Sequence, residues 1–139
     1  MIRQLMLLAA ILIPAAAHAQ NVPVATGTYT IKITENRNGP QGTVKYVVDA
    51  NQDDPPNNVR GTTTSSGSSG ENPVPGSSQG GTTVSPNGSD ANIDWKSRIG
   101  ESLQPIKIVL NEDGTATLFV GFGVYQRVEG IGTWQFTPN

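Results

Sequence analysis

The chain has 139 residues, a formal net charge of −2, no cysteine and one histidine. The mildly acidic balance excludes the basic surface that nucleic-acid binding requires, and the lack of cysteine excludes disulfide stabilisation and thiol chemistry. The length suits one domain.

The sequence opens with the features of a secretory signal peptide. Arg3 gives a positive start, an apolar run follows, and the letters AHA match the small-x-small motif that signal peptidase cleaves. The apolar run is too short to span a bilayer comfortably, and no later stretch is apolar enough to do so. We expect residues 1–19 to be removed after Ala19, which predicts a bacterial periplasmic or secreted protein with no membrane span after cleavage.

Residues 24–48 alternate between apolar and polar side chains in two runs. The runs "GTYTIKITE" and "GTVKYVV" place β-branched and aromatic residues at every second position, which is typical of half-buried strands. The apolar positions are Tyr29, Ile31, Ile33, Val44, Tyr46 and Val48. Asn38-Gly39-Pro40 between the runs is a turn signal, so the two runs predict an antiparallel hairpin.

The middle of the chain consists mostly of Gly, Ser, Thr and Pro. Such a composition buries little apolar area, and ordering each residue costs about 1–2 kcal/mol of conformational entropy. We predict a flexible, low-complexity insertion over residues 55–89 within a single β-domain of residues 20–139. Closing a long loop costs little more than closing a short one, so strands on both sides can share a sheet.

A short segment after the insertion has helical spacing. Trp95, Ile99 and Leu103 recur at i, i+4 and i+8, and Ser89 or Asp90 could cap the start. Gly100 weakens the pattern, so we predict that residues 90–103 form either one short helix or irregular coil.

Residues 104–139 return to strand patterns separated by glycines. "QPIKIVL" alternates, "NEDG" forms a turn, and "TATLFVGF", "VYQRVEG" and "GTWQFTP" follow. With the first hairpin, the sequence predicts an all-β fold of about six antiparallel strands, arranged as a small barrel or a sandwich.

Two polar stretches, "DANQD" and "DANID", resemble the start of a calcium loop. Their oxygen-bearing side chains are Asp49, Asn51 and Asp53 in the first and Asp90, Asn92 and Asp94 in the second. A twelve-residue calcium loop needs Gly at position 6, where the second copy has Trp95, and Arg98 falls at ligand position 9. The alternative is that Asp and Asn gather in turns because they bond to their own backbone, and we assign no metal or other cofactor.

The residue types available limit catalysis. The only histidine, His18, lies in the signal, so the processed chain lacks the nucleophile–imidazole pairs and the usual zinc ligands. We therefore expect a protein that is not an enzyme. Trp134 is expected in the core, whereas Trp95, beside the polar insertion, is a candidate contact for a ligand or partner, with packing over the barrel end as the alternative.

Three segments resemble a known family. "LNEDGTATL" followed by "GIGTW" resembles the closing hairpins of lipocalin-like small secreted β-barrel domains, and "ATGTYTIKI" resembles their opening strand, with Tyr29 where a Trp is usual. The resemblance implies a small up-and-down barrel with an apolar pocket.

These patterns together predict a non-enzymatic, exported β-domain that binds an unidentified ligand or protein partner and not nucleic acid. The alternative is a structural surface protein, an appendage subunit or adhesin, in which the Ser/Gly/Thr tract is a spacer.

Overall fold

The computed structural model describes residues 21–36, 42–67, 81–99 and 101–139, so the predicted signal peptide lies outside the described residues. The described residues form eight strands and one 3-10 turn at Gly123–Tyr125. The strands are β1 (Gly27–Asn36), β2 (Val44–Asp54), β3 (Asn58–Gly67), β4 (Thr82–Asn87), β5 (Asp90–Ile99), β6 (Ser102–Leu110), β7 (Thr115–Val120) and β8 (Arg127–Pro138).

The strands form a closed antiparallel barrel in which each strand pairs with its neighbours in sequence. β8 returns to pair with β1, for example at Ile31 opposite Trp134, so neither terminal strand is a free edge. The all-β prediction is confirmed, and of the two predicted architectures the barrel is the one observed. The strand count is eight rather than six.

The two additional strands come from the segment predicted to be a flexible insertion. Residues 58–67 form β3 and residues 82–87 form β4, so the prediction over 55–89 is wrong for the residues that the structure describes there. Residues 68–80 lie outside the described part. Thr-rich sequence is compatible with strands because threonine is β-branched, and Val59 and Val84, which face each other, bury their side chains in the core.

Both alternatives predicted for residues 90–103, a short helix and irregular coil, are also wrong, because residues 90–99 form β5 and residues 102–110 form β6. Ala91, Ile93 and Trp95 all face the interior of the barrel. Alternation with a period of two buries these three side chains, which the helical spacing from Trp95 to Leu103 would not do together. Pairing with β6 supplies hydrogen-bond partners for the backbone of β5.

Inward-facing side chains from all strands form the core of the barrel. The largest fully buried ones are Tyr29, Tyr46, Ile31, Ile33, Ile93, Ile106, Ile108, Leu110, Leu118, Val44, Val48 and Val84. Trp134 and Phe136 of β8 are partly buried and pack against this core. Below, the upper end of the barrel is the one where β2, β4, β6 and β8 begin, and the lower end is the one where β1, β3, β5 and β7 begin.

Close approach of neighbouring strands requires glycine at two positions. A Cβ on Gly132 would fall on the backbone carbonyl of Lys32 in β1, and a Cβ on Gly61 would fall on the carbonyl of Asp49 in β2. The glycines of "GIG", which looked like strand breaks, thus lie within β8 and permit the contact that closes the barrel.

Candidate functional site

Polar side chains inside the barrel gather in its upper half. Within the described part of the chain, the buried polar or charged residues are Thr63, Thr82, Ser97 and Glu129. Thr63 of β3 and Thr82 of β4 are joined by a hydrogen bond of 2.7 Å between their Oγ1 atoms. Buried apolar side chains line both halves, including Ile33 and Val44 in the upper one, so the polar side chains are set within an otherwise apolar interior.

Two buried hydrogen-bond donors in this upper region are unpaired. In the described part of the chain, the hydroxyl of Tyr46 and the indole Nε1 of Trp95 are the buried side-chain atoms without a hydrogen-bond partner. The two rings contact each other, with centroids 5.5 Å apart and planes tilted by 54°. Leaving a buried donor unpaired costs about 1–3 kcal/mol, so the pair is a feature that packing alone does not explain.

A carboxylate completes this group. The register of β7 and β8 shifts between Leu118 and Phe119, and in the bulge Glu129 turns inward to 8 % exposure. Its Oε2 lies 3.1 Å from Nε of Arg127. The pKa of Tyr46 is raised far above its usual value. Burial is the larger cause and the charge of Glu129 is the smaller one. Tyr46 therefore keeps its proton and remains a donor at physiological pH.

The described pairing between β3 and β4 is short. β3 and β4 pair only from Val59 to Gly61, whereas β3 continues to Gly67 and β5 continues to Ile99. Among the described residues, no strand joins β3 to β5 over the upper part of the barrel, and residues 68–80, which connect β3 to β4, are outside that part.

The lower end is closed by the segment before β1. Val22 is buried, and its backbone N donates to the carbonyl of Ser89 at 2.9 Å. The hydroxyl of Tyr29 donates to the carbonyl of Pro23 at 2.8 Å and accepts from the backbone N of Ala25 at 3.2 Å. Burial raises the pKa of Tyr29, and the bond from Ala25 partly offsets the shift. This tyrosine is satisfied, in contrast to Tyr46.

The six calcium candidates lie on strands rather than in loops. Asp49, Asn51 and Asp53 belong to β2, and Asp90, Asn92 and Asp94 belong to β5, with β3 and β4 between them. Alternate residues of an extended strand are about 6.6 Å apart, whereas two ligand atoms that each lie about 2.3–2.6 Å from one calcium ion are at most about 5 Å apart. The described residues contain no group of three or more acidic or His side chains placed to hold a metal.

Several of these side chains have other partners. The carboxylate of Asp90 accepts from the backbone N of Glu112 at 3.0 Å, and Asn92 accepts from the amide of Asn87 at 3.1 Å. Burial raises the pKa of Asp94, and nearby Lys107 partly offsets the shift.

Of the six calcium candidates, Asp53 and Asp90 line the same groove. It has a volume of about 630 Å³, lies at the lower end, and is also lined by the N-terminal segment and Pro55-Pro56.

Trp95, the predicted contact candidate, is buried to 4 % exposure with its ring against Tyr46, so it can contact a ligand only from inside the barrel. Sequence reasoning placed Tyr46 in the core and missed its role in this group, and it did not single out Glu129. The only available signal for Glu129 was an acidic residue in a run of small and apolar ones, "VEGIG".

A comparison of the chain with protein-family models, curated proteins and solved structures found no significant match. The closed antiparallel barrel agrees with the lipocalin-like resemblance at the level of architecture. Within the described residues, no helix combines the length and the apolar character needed to cross a membrane.

Proposed function

We propose that this protein is an exported, non-enzymatic binding protein that takes a small ligand into the upper region of its barrel, in the manner of a lipocalin-like domain. The observation that carries the proposal is the pair of unpaired donors, Tyr46 Oη and Trp95 Nε1, buried side by side. A ligand with a hydrogen-bond acceptor would satisfy them and recover the cost of burying them unpaired.

The surroundings of the donors define the ligand class. Glu129 lies inside the same region and is paired with Arg127 at 3.1 Å, so the two side chains together offer no net charge to attract a charged ligand. The two aromatic rings and the aliphatic side chains of the core favour a ligand with an apolar body. The ligand class is therefore a neutral molecule with an apolar body and at least one carbonyl or ether oxygen.

The closure of the sheet favours this function over the structural alternative. Because β1 and β8 pair with each other, neither terminal strand offers an edge to which a neighbouring subunit could add. An appendage subunit would also associate with concentration, which size-exclusion chromatography of the processed protein measures.

The proposal can be tested with prodan, a neutral naphthalene fluorophore that carries a ketone oxygen. Fluorescence titration should show saturable binding to the native protein. Tyr46→Phe, which removes one donor and no ring, should weaken binding about 3- to 10-fold, as expected for one hydrogen bond. The matched control is Tyr29→Phe, whose hydroxyl already bonds to Pro23 and should not matter for binding. Absence of saturable binding, or equal weakening by both variants, would contradict the proposal.

A further inference from the structure

The connection between β7 and β8 presents three large apolar side chains to solvent at the upper end. Phe122 is 63 % exposed, Val124 93 % and Tyr125 75 %. We call residues 122–125 the β7–β8 tip. The backbone N of Gly121 donates to the carbonyl of Pro105 at 3.0 Å, which holds the tip beside the start of β6, where Leu103 is also exposed. Contiguous exposed apolar groups of this kind mark a contact surface.

The shape of the tip is fixed by its own backbone. Tyr125 N donates to Phe122 O at 3.0 Å, and Gln126 N donates to Gly123 O at 3.2 Å. Gly121 has a φ of +95°, and a Cβ there would lie 2.7 Å from the carbonyl oxygen of Tyr125. The apolar side chains are thus displayed on a formed turn, and contact with a partner surface requires no folding of the tip.

Two positive side chains lie on β5 at the same end of the barrel as the tip, with β6 between β5 and β7. Arg98 pairs with Leu103 and Lys96 pairs with Pro105, and both cations are exposed. Arg127, directly after the tip, is neutralised by Glu129. The acidic residue beside Arg98 is Glu101. Nη1 of Arg98 donates to the backbone carbonyl of Glu101 at 3.1 Å. This end of the barrel therefore combines the apolar side chains of the tip with two cations.

The opposite end of the barrel carries the negative charge. Its acidic side chains are Asp53, Asp54, Asp90, Glu112 and Asp113, of which Asp54 is paired with Arg60 at 3.3 Å, so the end as a whole stays negative. Near an anionic surface, this separation of charge turns the lower end away and the upper end toward the surface.

We infer that the β7–β8 tip docks on an anionic lipid surface. Two aromatic side chains and one aliphatic side chain, with Lys and Arg at the same end of the barrel, match the interface of a bilayer, where apolar groups insert and cations contact headgroups. A protruding turn of this size is too small for the roughly 1,200–2,000 Å² that a stable protein–protein interface buries. The inference stands independently of the proposed ligand site, because no residue of the tip belongs to that site.

The test is co-sedimentation of the processed protein, purified from an exporting host, with large vesicles. Vesicles of phosphatidylcholine doped with phosphatidylglycerol should bind the protein, vesicles of phosphatidylcholine alone should bind it less, and added salt should weaken binding. The double variant Val124→Ser/Tyr125→Ser should lower binding at least tenfold, and Arg98→Gln should reduce the preference for phosphatidylglycerol. Val124 and Tyr125 are exposed, so the double variant should melt like the native protein.

The matched control is Gln135→Ser, a polar substitution at an exposed position on β8 away from the tip, which should bind like the native protein. Three results would overturn the inference: no sedimentation with either vesicle, binding that the double variant retains, or equal losses in the double variant and in Gln135→Ser. A self-association equilibrium that the double variant abolishes, seen by analytical ultracentrifugation without vesicle binding, would instead assign the tip to a dimer interface.

Discussion

Two tyrosines with similar sequence surroundings have different roles in this barrel. Both lie in alternating strands and point inward, and both are fully buried. The hydroxyl of Tyr29 reaches the chain segment that closes the lower end and makes two hydrogen bonds there. The hydroxyl of Tyr46 lies in the upper region beside Trp95 and has no partner among the described residues.

The difference predicts opposite effects of removing the two hydroxyls. Tyr46→Phe should leave the free energy of unfolding unchanged or raise it by about 1 kcal/mol, because an unpaired buried hydroxyl is lost. Tyr29→Phe should lower it by about 0.5–1.5 kcal/mol, because it leaves Pro23 O and Ala25 N without their partner. Urea unfolding of the two variants and the native protein measures this.

The pH dependence of stability at alkaline pH gives a second test of the environment of the Tyr46 hydroxyl. The pKa of Tyr46 is raised in the folded state, so above the ordinary value of 10.0 the unfolded chain loses a proton that the folded chain retains. Stability should therefore fall as pH rises past that value. The fall should be shallower in Tyr46→Phe, and a Tyr46→Phe variant destabilised as strongly as Tyr29→Phe would show that the hydroxyl has a partner.

At the scale of elements, composition was a poor guide to β3 and β4. Their residues come from a segment rich in Gly, Ser and Thr, which as a whole buries little apolar area. Each strand nevertheless directs alternate residues inward, Val59 and Thr63 from β3 and Thr82 and Val84 from β4. A strand exists here because its neighbours supply backbone partners and a core, and neither is visible in a local window.

β8 shows the same effect with glycine. "GIGTW" suggests a broken strand, yet Gly130 and Gly132 lie within β8 and face β1 closely. A glycine by itself weakens a strand. It is nevertheless required where the backbone of a neighbouring strand comes so close that a Cβ atom would not fit.

Gly132→Ala should therefore lower the free energy of unfolding by about 3 kcal/mol, at the upper end of overpacking costs. The new methyl group would meet the backbone of Lys32, which cannot move without separating β1 from β8. The control is Thr133→Ala, an exposed neighbour on the same strand, which should stay within about 0.5 kcal/mol of the native protein. Chemical denaturation measures both, and equal values would show that β1 and β8 are not closely paired at this point.

The whole molecule depends on closure of a single sheet. Each strand has two partners because β8 returns to β1, so removal of one strand exposes two edges and opens the core. The closed wall also creates an interior with two ends, one sealed by Val22 and Tyr29 and one carrying Tyr46, Trp95 and Glu129.

Deletion of residues 62–88 should accordingly abolish the cooperative thermal transition. The deletion removes β4 and most of β3, and it leaves Val84 and Thr82 out of the core. If residues 62–88 were only an external loop, as the composition suggested, the shortened chain would melt close to the native protein. Circular dichroism melts of both chains distinguish the two outcomes.

The sequence by itself determined the all-β class, the first hairpin and the part of the core that this hairpin supplies, because period-two burial of residues such as Tyr29 and Ile31 is a local property of a strand. The tertiary structure alone decided the strand count, the burial of Trp95 and the inward turn of Glu129. Those features depend on partners distant in the chain, on the pairing of β8 with β1, and on a shift of register that no local pattern encodes.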